Sequence, residues 1–172
     1  MLDALRAALP DDGIVATDMT QIAYTGNCHF TCRRPRGWFH PQGFGTLGYA
    51  LPAAIGAKLA APQRAVAALA GDAGFLFTVQ ELATAAELEL PIAILLWNND
   101  ALGQIAGDMV VRGIPEIAVK PRNPDFQALA RAFHCKAIRP ASLEELKLAL
   151  AEAFQARGPT LIEVHQSADY LH

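Results

Sequence analysis

The 172-residue sequence has few cysteines, few charges and no long apolar run. Cys28, Cys32 and Cys135 form no CxxC pair, which argues against a disulfide framework or a structural metal site. The longest apolar run, 92–97, is far shorter than the ~20 residues that span a bilayer. Residues 1–10 lack the basic start and apolar stretch of a secretion signal. We therefore expect a cytoplasmic protein with no membrane partner.

Charge of either sign is scarce. Charged residues make up 18% of the sequence, and 14 Lys and Arg stand against 17 Asp and Glu, so the net charge is −3. This balance gives no positive field that would gather nucleic acid, and no nucleic-acid partner is expected. The hydrophobic share of 52% excludes disorder, and the length suits a single domain over 1–172.

Short apolar strands alternate with helical stretches along the chain. The predicted strands are 14–17, 66–70, 92–97, 135–138 and 160–164. The predicted helices are 3–9, 48–61, 78–88, 123–133 and 142–156. This alternation predicts an α/β fold, an open doubly wound and mainly parallel sheet with helices on both faces. Glycines and prolines interrupt 99–122, which is expected to be a mobile active-site loop.

Two predicted strands end in polar turns that suit a metal ion. The sequence GDAG occupies 71–74, and NND occupies 98–100. Taken singly, each is a common turn. The 27 positions from Asp72 to Asn99 fit one helix and one strand, which would return the chain beside its start. Carboxylate and amide oxygens at that edge could hold Mg²⁺, and free backbone N–H groups there could hold a phosphate.

The same residues carry a family resemblance. GDAGFLFTVQELATAAELELPIAILLWNND, at 71–100, resembles the signature of thiamine diphosphate-dependent enzymes. GFGTLGYALPAAIGAKLA, at 43–60, resembles the cofactor-facing segment of the acetolactate synthase group, and NPDFQALARAF, at 123–133, is typical of the same domain. Ala73 departs from the strict GDG form by one methyl group. The resemblance covers nearly the whole chain and implies the diphosphate-binding domain of such an enzyme.

The resemblance implies a set of cofactor and metal contacts. The side chains of Asp72 and Asn99 and the carbonyl of Ala101 match Mg²⁺ ligands. The backbone amides of Ala73 and Gly74, and the loop of Thr20 and Gln21, match residues that contact the diphosphate. The Gly45 carbonyl matches the acceptor for the aminopyrimidine, and Leu47 matches the apolar wedge that keeps the cofactor bent. The neighbouring residues expected at the cofactor are Thr46, Gly71 and Gly103.

The resemblance also implies a partner. In this family the glutamate that activates the cofactor comes from a pyrimidine-binding domain on a facing subunit, and that domain is not in these 172 residues. Glu81, Glu87 and Glu89 follow the metal loop but are poor substitutes. We expect the chain alone to bind weakly and catalyse nothing, and to act in a homo- or hetero-oligomer.

The substrate side resembles one branch of the family. The segments 18–30 and 35–57 are most similar to 5-guanidino-2-oxopentanoate decarboxylases, which act on the small 2-oxo acid of arginine. A guanidinium pairs best with a carboxylate, so Asp108 and Asp100 are candidates, with solvated loop acids as the alternative. Gln104 matches a position that faces substrate.

Other interpretations stay open. His40 could donate to substrate or diphosphate, or be structural. Arg33, Arg34 and Arg36 are either a solvated loop or an interface to the absent domain. The chain could also be a binding module that holds thiamine diphosphate without catalysis. A nicotinamide-dependent oxidoreductase is disfavoured because no G-x-G-x-x-G follows the first strand.

Overall fold

The computed structural model describes residues 1–171, which form one six-stranded sheet, eight α-helices and a short 3₁₀ helix. The strands are β1 (Ile14–Thr17), β2 (Trp38–Phe39), β3 (Val66–Gly71), β4 (Ile92–Asn98), β5 (Lys136–Ile138) and β6 (Thr160–His165). The helices are α1 (Leu2–Ala8), α2 (Gln21–His29), α3 (Ala50–Ala60), α4 (Asp72–Leu76), α5 (Glu81–Glu87), α6 (Gly103–Val111), α7 (Phe126–Ala132), α8 (Leu143–Gln155) and the 3₁₀ turn Asp169–Leu171. No helix within 1–171 is both long and apolar enough to cross a membrane.

All strand pairs are parallel, in the order β2-β1-β3-β4-β6-β5. Every residue of the central strand β3 is buried, and the strand reads VAALAG without polar alternation. A parallel strand covered on both faces requires this composition. The predicted parallel α/β sheet is therefore confirmed.

Helices cover both faces of the sheet, as predicted. Ala68 and Ala70 of β3 belong to a cluster formed with α3, α4, α5 and α7. Ala67 and Leu69, which alternate with them, pack in a second cluster with α1 and α8. Successive side chains of a strand point to opposite faces, so one apolar strand supplies both cores.

The sheet has a switch point between β1 and β3. From β1 the chain crosses to β2 on one side, whereas from β3 it crosses to β4 on the other. Connections that diverge in this way leave a crevice at the carboxyl ends of the strands, where open α/β sheets bind ligands. The strands β3 and β4, at whose ends the predicted metal-binding turns lie, both end at this edge.

The sequence prediction for the stretch 99–122 was wrong. The stretch 99–122 was expected to be an irregular loop, yet α6 occupies Gly103–Val111. A Cβ added at Gly107 would meet no atom within 4 Å, so no close packing depends on that glycine, and no proline lies between Asn99 and Pro115. Each glycine costs a helix only about 1 kcal/mol relative to Ala, and Gln104, Ala106 and Met109 are good helix formers, so the two glycines do not prevent this helix. The sequence prediction also omitted α2, β2 and α4, and the helix predicted at 78–88 is observed as the shorter α5.

Asp18 connects the end of β1 to the start of α3. Its side chain is buried, and Oδ1 accepts hydrogen bonds from the backbone N–H groups of Tyr49 at 2.6 Å and Ala50 at 2.9 Å. Burial raises the pKa of this carboxyl, and hydrogen bonds from the backbone at 48–50 oppose the rise. The carboxylate thus satisfies helix N–H groups that have no partner within the helix.

We expect Asp18→Ala to lower the free energy of unfolding by about 1–3 kcal/mol, because two buried N–H groups lose their acceptor. Asp18→Asn keeps an oxygen acceptor of the same shape and should cost less than about 1 kcal/mol. Urea unfolding followed by circular dichroism measures both. Equal losses in the two variants would contradict the capping role.

Candidate functional site

A cleft of about 240 Å³ opens at the switch point, at the ends of β1, β3 and β4. Most of the sequence-predicted cofactor, metal and substrate residues line it: Thr20, Gln21, Gly45, Leu47, Gly71, Asp72, Ala73, Gly74, Asn99, Ala101, Gly103 and Gln104. Met19, Tyr24, Leu102 and Ile105 also line it and were not predicted. Thr46 and Asp108 stand outside this lining. Separate segments of sequence therefore meet in one place.

Two glycines stand where the loops of the cleft approach each other closely. A Cβ added at Gly103 would lie 2.5 Å from Asn99 Nδ2 and 2.9 Å from Gln21 Oε1. A Cβ added at Gly71 would lie 2.8 Å from Thr20 Oγ1. A methyl group at either position would displace these polar side chains, so the glycines allow the residues after β1 to contact the loops after β3 and β4 as observed.

Asp72 is the first residue of α4 and is only 2% exposed. Its Oδ2 accepts a hydrogen bond from Asn123 Nδ2 at 2.7 Å. Its Oδ1 makes no hydrogen bond to any residue of 1–171. The first N–H groups of a helix lack intrahelical partners, so the amides of Ala73 and Gly74 accompany this carboxylate in the cleft as donors for an anion.

The loop after β4 holds Asn99 in a turn. Asn99 Oδ1 accepts from the Ala101 N–H at 3.2 Å, and Asn99 Nδ2 donates to Gln21 Oε1 at 2.9 Å. Between them Asp100 has φ +55°, in the left-handed region that a non-glycine residue seldom adopts. One cleft is lined by all three predicted metal ligands, Asp72, Asn99 and Ala101. The hydrogen bond to Gln21 sets the orientation of the Asn99 side-chain amide.

Behind the cleft lies a buried polar network that the sequence analysis missed. Asn98 donates from Nδ2 to Glu163 Oε1 at 2.9 Å, and its Oδ1 accepts from the Asp100 N–H at 3.2 Å. Glu163 Oε2 accepts from Gln127 Nε2 at 3.0 Å and from Arg139 at 2.8 Å. A glutamate inside the apolar strand TLIEVH was the available signal, since a buried carboxylate requires partners.

Of the predicted substrate residues, Gln104 lines the cleft, whereas Asp100 and Asp108 stand outside its lining. Gln104 Nε2 donates to Asp108 Oδ1 at 3.1 Å, one turn apart on exposed positions of α6. Burial and then the charge of Asp108 raise the pKa of Tyr24, so Asp108 lies near that phenol. Asp100 has both oxygens occupied, Oδ1 by Asn123 Nδ2 and Oδ2 by His165 Nε2 at 3.0 Å.

His40 is held beside the cleft without lining it. Its Nδ1 lies 2.6 Å from Thr17 Oγ1, and its ring meets Tyr24 edge-on at 6.3 Å between centroids. Burial lowers the pKa of His40, which favours the neutral ring. Arg33 lies on the exposed surface and pairs with Asp11 at 3.0 Å.

The donor set of the cleft suits a hard cation and a diphosphate. Within residues 1–171, no group of three or more His, Cys, Asp or Glu side chains is placed to hold a metal ion. The cleft instead combines the Asp72 carboxylate with amide and carbonyl oxygens. Mg²⁺ binds proteins through one or two carboxylates and completes its octahedron with phosphate oxygens and water, so the residues present fit that ion.

We expect Glu163→Ala to lower the free energy of unfolding by about 1–3 kcal/mol, because the buried Asn98 Nδ2 loses its acceptor. The matched control is Glu144→Ala, at an exposed glutamate that pairs with Lys147 on α8, for which a change below about 0.5 kcal/mol is expected. Urea unfolding measures both variants, and similar effects would contradict a structural role for the Glu163 network.

Comparison with known proteins identifies the family of the chain. Residues 18–164 match the family model described as thiamine pyrophosphate enzyme, C-terminal TPP binding domain. A Pseudomonas aeruginosa protein named "Probable 2-ketoarginine decarboxylase AruI" is 56% identical over 168 residues, which are 97% of this chain and 30% of that protein. The Escherichia coli acetolactate synthase isozyme 1 large subunit is 33% identical over 98% of this chain and 30% of its own length.

A solved structure shares the fold. The Rhodococcus jostii RHA1 thiamine diphosphate-dependent 4-hydroxybenzoylformate decarboxylase has a TM-score of 0.88 and 29% identity, over 98% of this chain and 32% of that one. The chain spans about 30% of the length of these relatives. The matched residues begin directly after β1, contain the GDAG turn and the Asn-Asn turn, and end within β6. The chain therefore belongs to the family of C-terminal thiamine pyrophosphate-binding domains of thiamine pyrophosphate enzymes.

Proposed function

We propose that this chain binds thiamine diphosphate through Mg²⁺ in the cleft at the switch point and supplies this half of the active site to a 2-oxo acid decarboxylase. The observation that carries the proposal is the convergence of the loops after β1, β3 and β4 on one cleft, with an available carboxylate oxygen among them. The family description supports the cofactor, and the donor set supports the ion.

Asp72, Asn99 and the Ala101 carbonyl are the residues that would hold the ion. Asp72 Oδ1 is free of hydrogen bonds within 1–171, which leaves one anionic oxygen for a cation. The amides of Ala73 and Gly74 would donate to the diphosphate, because the start of α4 leaves them without helical partners. The Asn99 amide would have to turn from Gln21 to present its oxygen.

The cofactor, when bound, supplies a carbanion for the keto carbon and accepts the electrons released with carbon dioxide. This chain would anchor it. The Gly45 backbone and the Leu47 side chain line the same cleft as Asp72, so they would contact the ring portion and hold it bent. Leu102 and Ile105 would exclude water from the apolar side of the cleft.

We infer that a second domain or subunit completes the site. Glu81, Glu87 and Glu89 do not line the cleft, so they are poorly placed to activate a cofactor there. A pyrimidine-binding partner that carries the activating glutamate accounts for this, in a homo- or hetero-oligomer in the cytoplasm. Mixing the chain with such a partner and assaying a panel of 2-oxo acids tests the inference, and activity of the chain without a glutamate-bearing partner would contradict it.

The proposed substrate is the 2-oxo acid of arginine. The Pseudomonas relative is named for 2-ketoarginine, and it is the more similar of the two curated relatives described above. Asp108 is the better acid for the guanidinium, because Gln104 occupies only its Oδ1, whereas both oxygens of Asp100 are engaged. Asp108 is hydrogen-bonded to Gln104, which lines the cleft, so its carboxylate would meet the far end of a substrate whose keto acid lies deeper.

We expect Asp72→Ala to weaken Mg²⁺ binding by more than about 100-fold and to abolish the Mg²⁺ dependence of thiamine diphosphate binding. Asn99→Leu should act in the same direction. Calorimetric titration with thiamine diphosphate, with and without Mg²⁺ and against NAD as a control ligand, measures these effects. Glu81→Gln, on α5, should leave cofactor binding unchanged. Unchanged affinity in Asp72→Ala would overturn the metal assignment.

We expect Asp108→Asn to raise KM for 5-guanidino-2-oxopentanoate by about 10- to 100-fold with little change in kcat, because a charged hydrogen bond to the guanidinium is lost. An uncharged 2-oxo acid of similar length should show no change in KM. Steady-state kinetics of the assembled enzyme measures both substrates, and a parallel rise in the two KM values would contradict a guanidinium contact.

A further inference from the structure

We propose that Asn123 is a positioning residue that holds one oxygen of Asp72, presents the other alone to the metal, and thereby favours Mg²⁺ over Ca²⁺. The inference rests on the metal site proposed above. Asn123 lies in the short loop before α7, and no motif resemblance assigns it a role. Its side chain reaches the end of β3 from 51 positions away in sequence.

Three oxygens converge on the nitrogen of this amide. Asp72 Oδ2 lies 2.7 Å from Asn123 Nδ2, Asn98 Oδ1 lies 3.1 Å from it, and Asp100 Oδ1 lies 3.2 Å from it. An amide group has two hydrogens, so three acceptors compete for them, and the shortest contact is to Asp72. The nitrogen is thus the donor that two carboxylates and a carbonyl share.

The orientation of the amide follows from these acceptors. Asn123 Oδ1 is buried and has no hydrogen-bond partner in the described part of the chain. A buried oxygen without a partner is unfavourable, and the reverse orientation would place this oxygen against the Asp72 carboxylate. The contacts at the nitrogen therefore fix the side chain, and they outweigh the cost at its oxygen.

The supporting residues are fixed as well. Asn98 gives its own Nδ2 to the buried Glu163, so its Oδ1 is the atom left to face Asn123. Asp125, two residues after Asn123, accepts from the N–H groups of Gln127 and Ala128 and fixes the start of α7. Asn123 is therefore placed between a capped helix and a buried network.

The consequence for the metal concerns the two oxygens of Asp72. The hydrogen bond from Asn123 occupies one lone pair of Oδ2 and holds the carboxylate in place, so binding of an ion through Oδ1 alone is favoured. Mg²⁺ requires near-octahedral geometry at 2.0–2.1 Å with few carboxylates, whereas Ca²⁺ takes six to eight oxygens and accepts bidentate carboxylates. A carboxylate restricted to one oxygen suits the smaller ion. Release of Oδ2 would permit bidentate binding and remove this preference.

The test compares the two ions in the assembled protein. Thiamine diphosphate binding is measured by calorimetry as a function of MgCl₂ or CaCl₂ concentration, which gives an apparent dissociation constant for each ion. We expect Asn123→Ala to raise the constant for Mg²⁺ by about tenfold and that for Ca²⁺ by less than about threefold, as for other residues that orient a metal ligand. Arg122→Ala, at the exposed neighbouring position, is the matched control and should change neither.

A second variant separates positioning from folding. Asn123→Asp keeps the shape but replaces the donor with an oxygen, so the preference should move further toward Ca²⁺. If both variants weaken Mg²⁺ and Ca²⁺ binding equally, or leave the ratio of the two dissociation constants unchanged, the inference is overturned and the proposed metal site still stands. Failure of Mg²⁺ to support cofactor binding in the unmodified protein would instead overturn the proposed function.

Discussion

The parallel pairing of β1, β3 and β4 is the constraint on which the rest of the molecule depends. Most side chains of these strands are buried and serve the two cores. Polar side chains are concentrated at the carboxyl ends of the strands, at Thr17 and Asn98 and in the residues that follow, and parallel pairing brings these positions to one edge. The cleft, the carboxylate of Asp72 and the amide of Asn99 are consequences of this arrangement.

Polar groups around the cleft are organised in two layers. The layer that faces the cleft contains Asp72, Asn99 and the backbone of the loops, and it provides the atoms a ligand would touch. The layer behind it contains Asn98, Asn123 and Glu163, and it fixes orientation rather than offering ligands. Buried polar groups of this kind are stable only when their partners are present, so the second layer stabilises the geometry of the first.

The sequence was informative where local pattern decides structure. The strand 14–17 was predicted with the bounds of β1, and the spacing from Asp72 to Asn99 correctly predicted that these residues would share one edge. The helix α6 was missed because glycines are typical of loops. A Cβ at Gly107 would meet no atom within 4 Å, so the absence of a side chain there removes no packing contact. The contact from Asn123 to Asp72 joins segments far apart in sequence and depends on how α7 packs, which no local pattern encodes.

The capping of α3 by Asp18 has a mechanical consequence for the bound cofactor. Leu47 lies two residues before Tyr49, whose N–H is fixed to the Asp18 carboxylate, and the Thr78 hydroxyl fixes the intervening Gly48 carbonyl. The wedge is thus anchored to the end of a strand some thirty residues upstream in the chain. If Leu47 contacts the ring portion of the coenzyme as proposed, a displacement of that strand would be transmitted to it, and the rigidity of the sheet would set how accurately the coenzyme is bent.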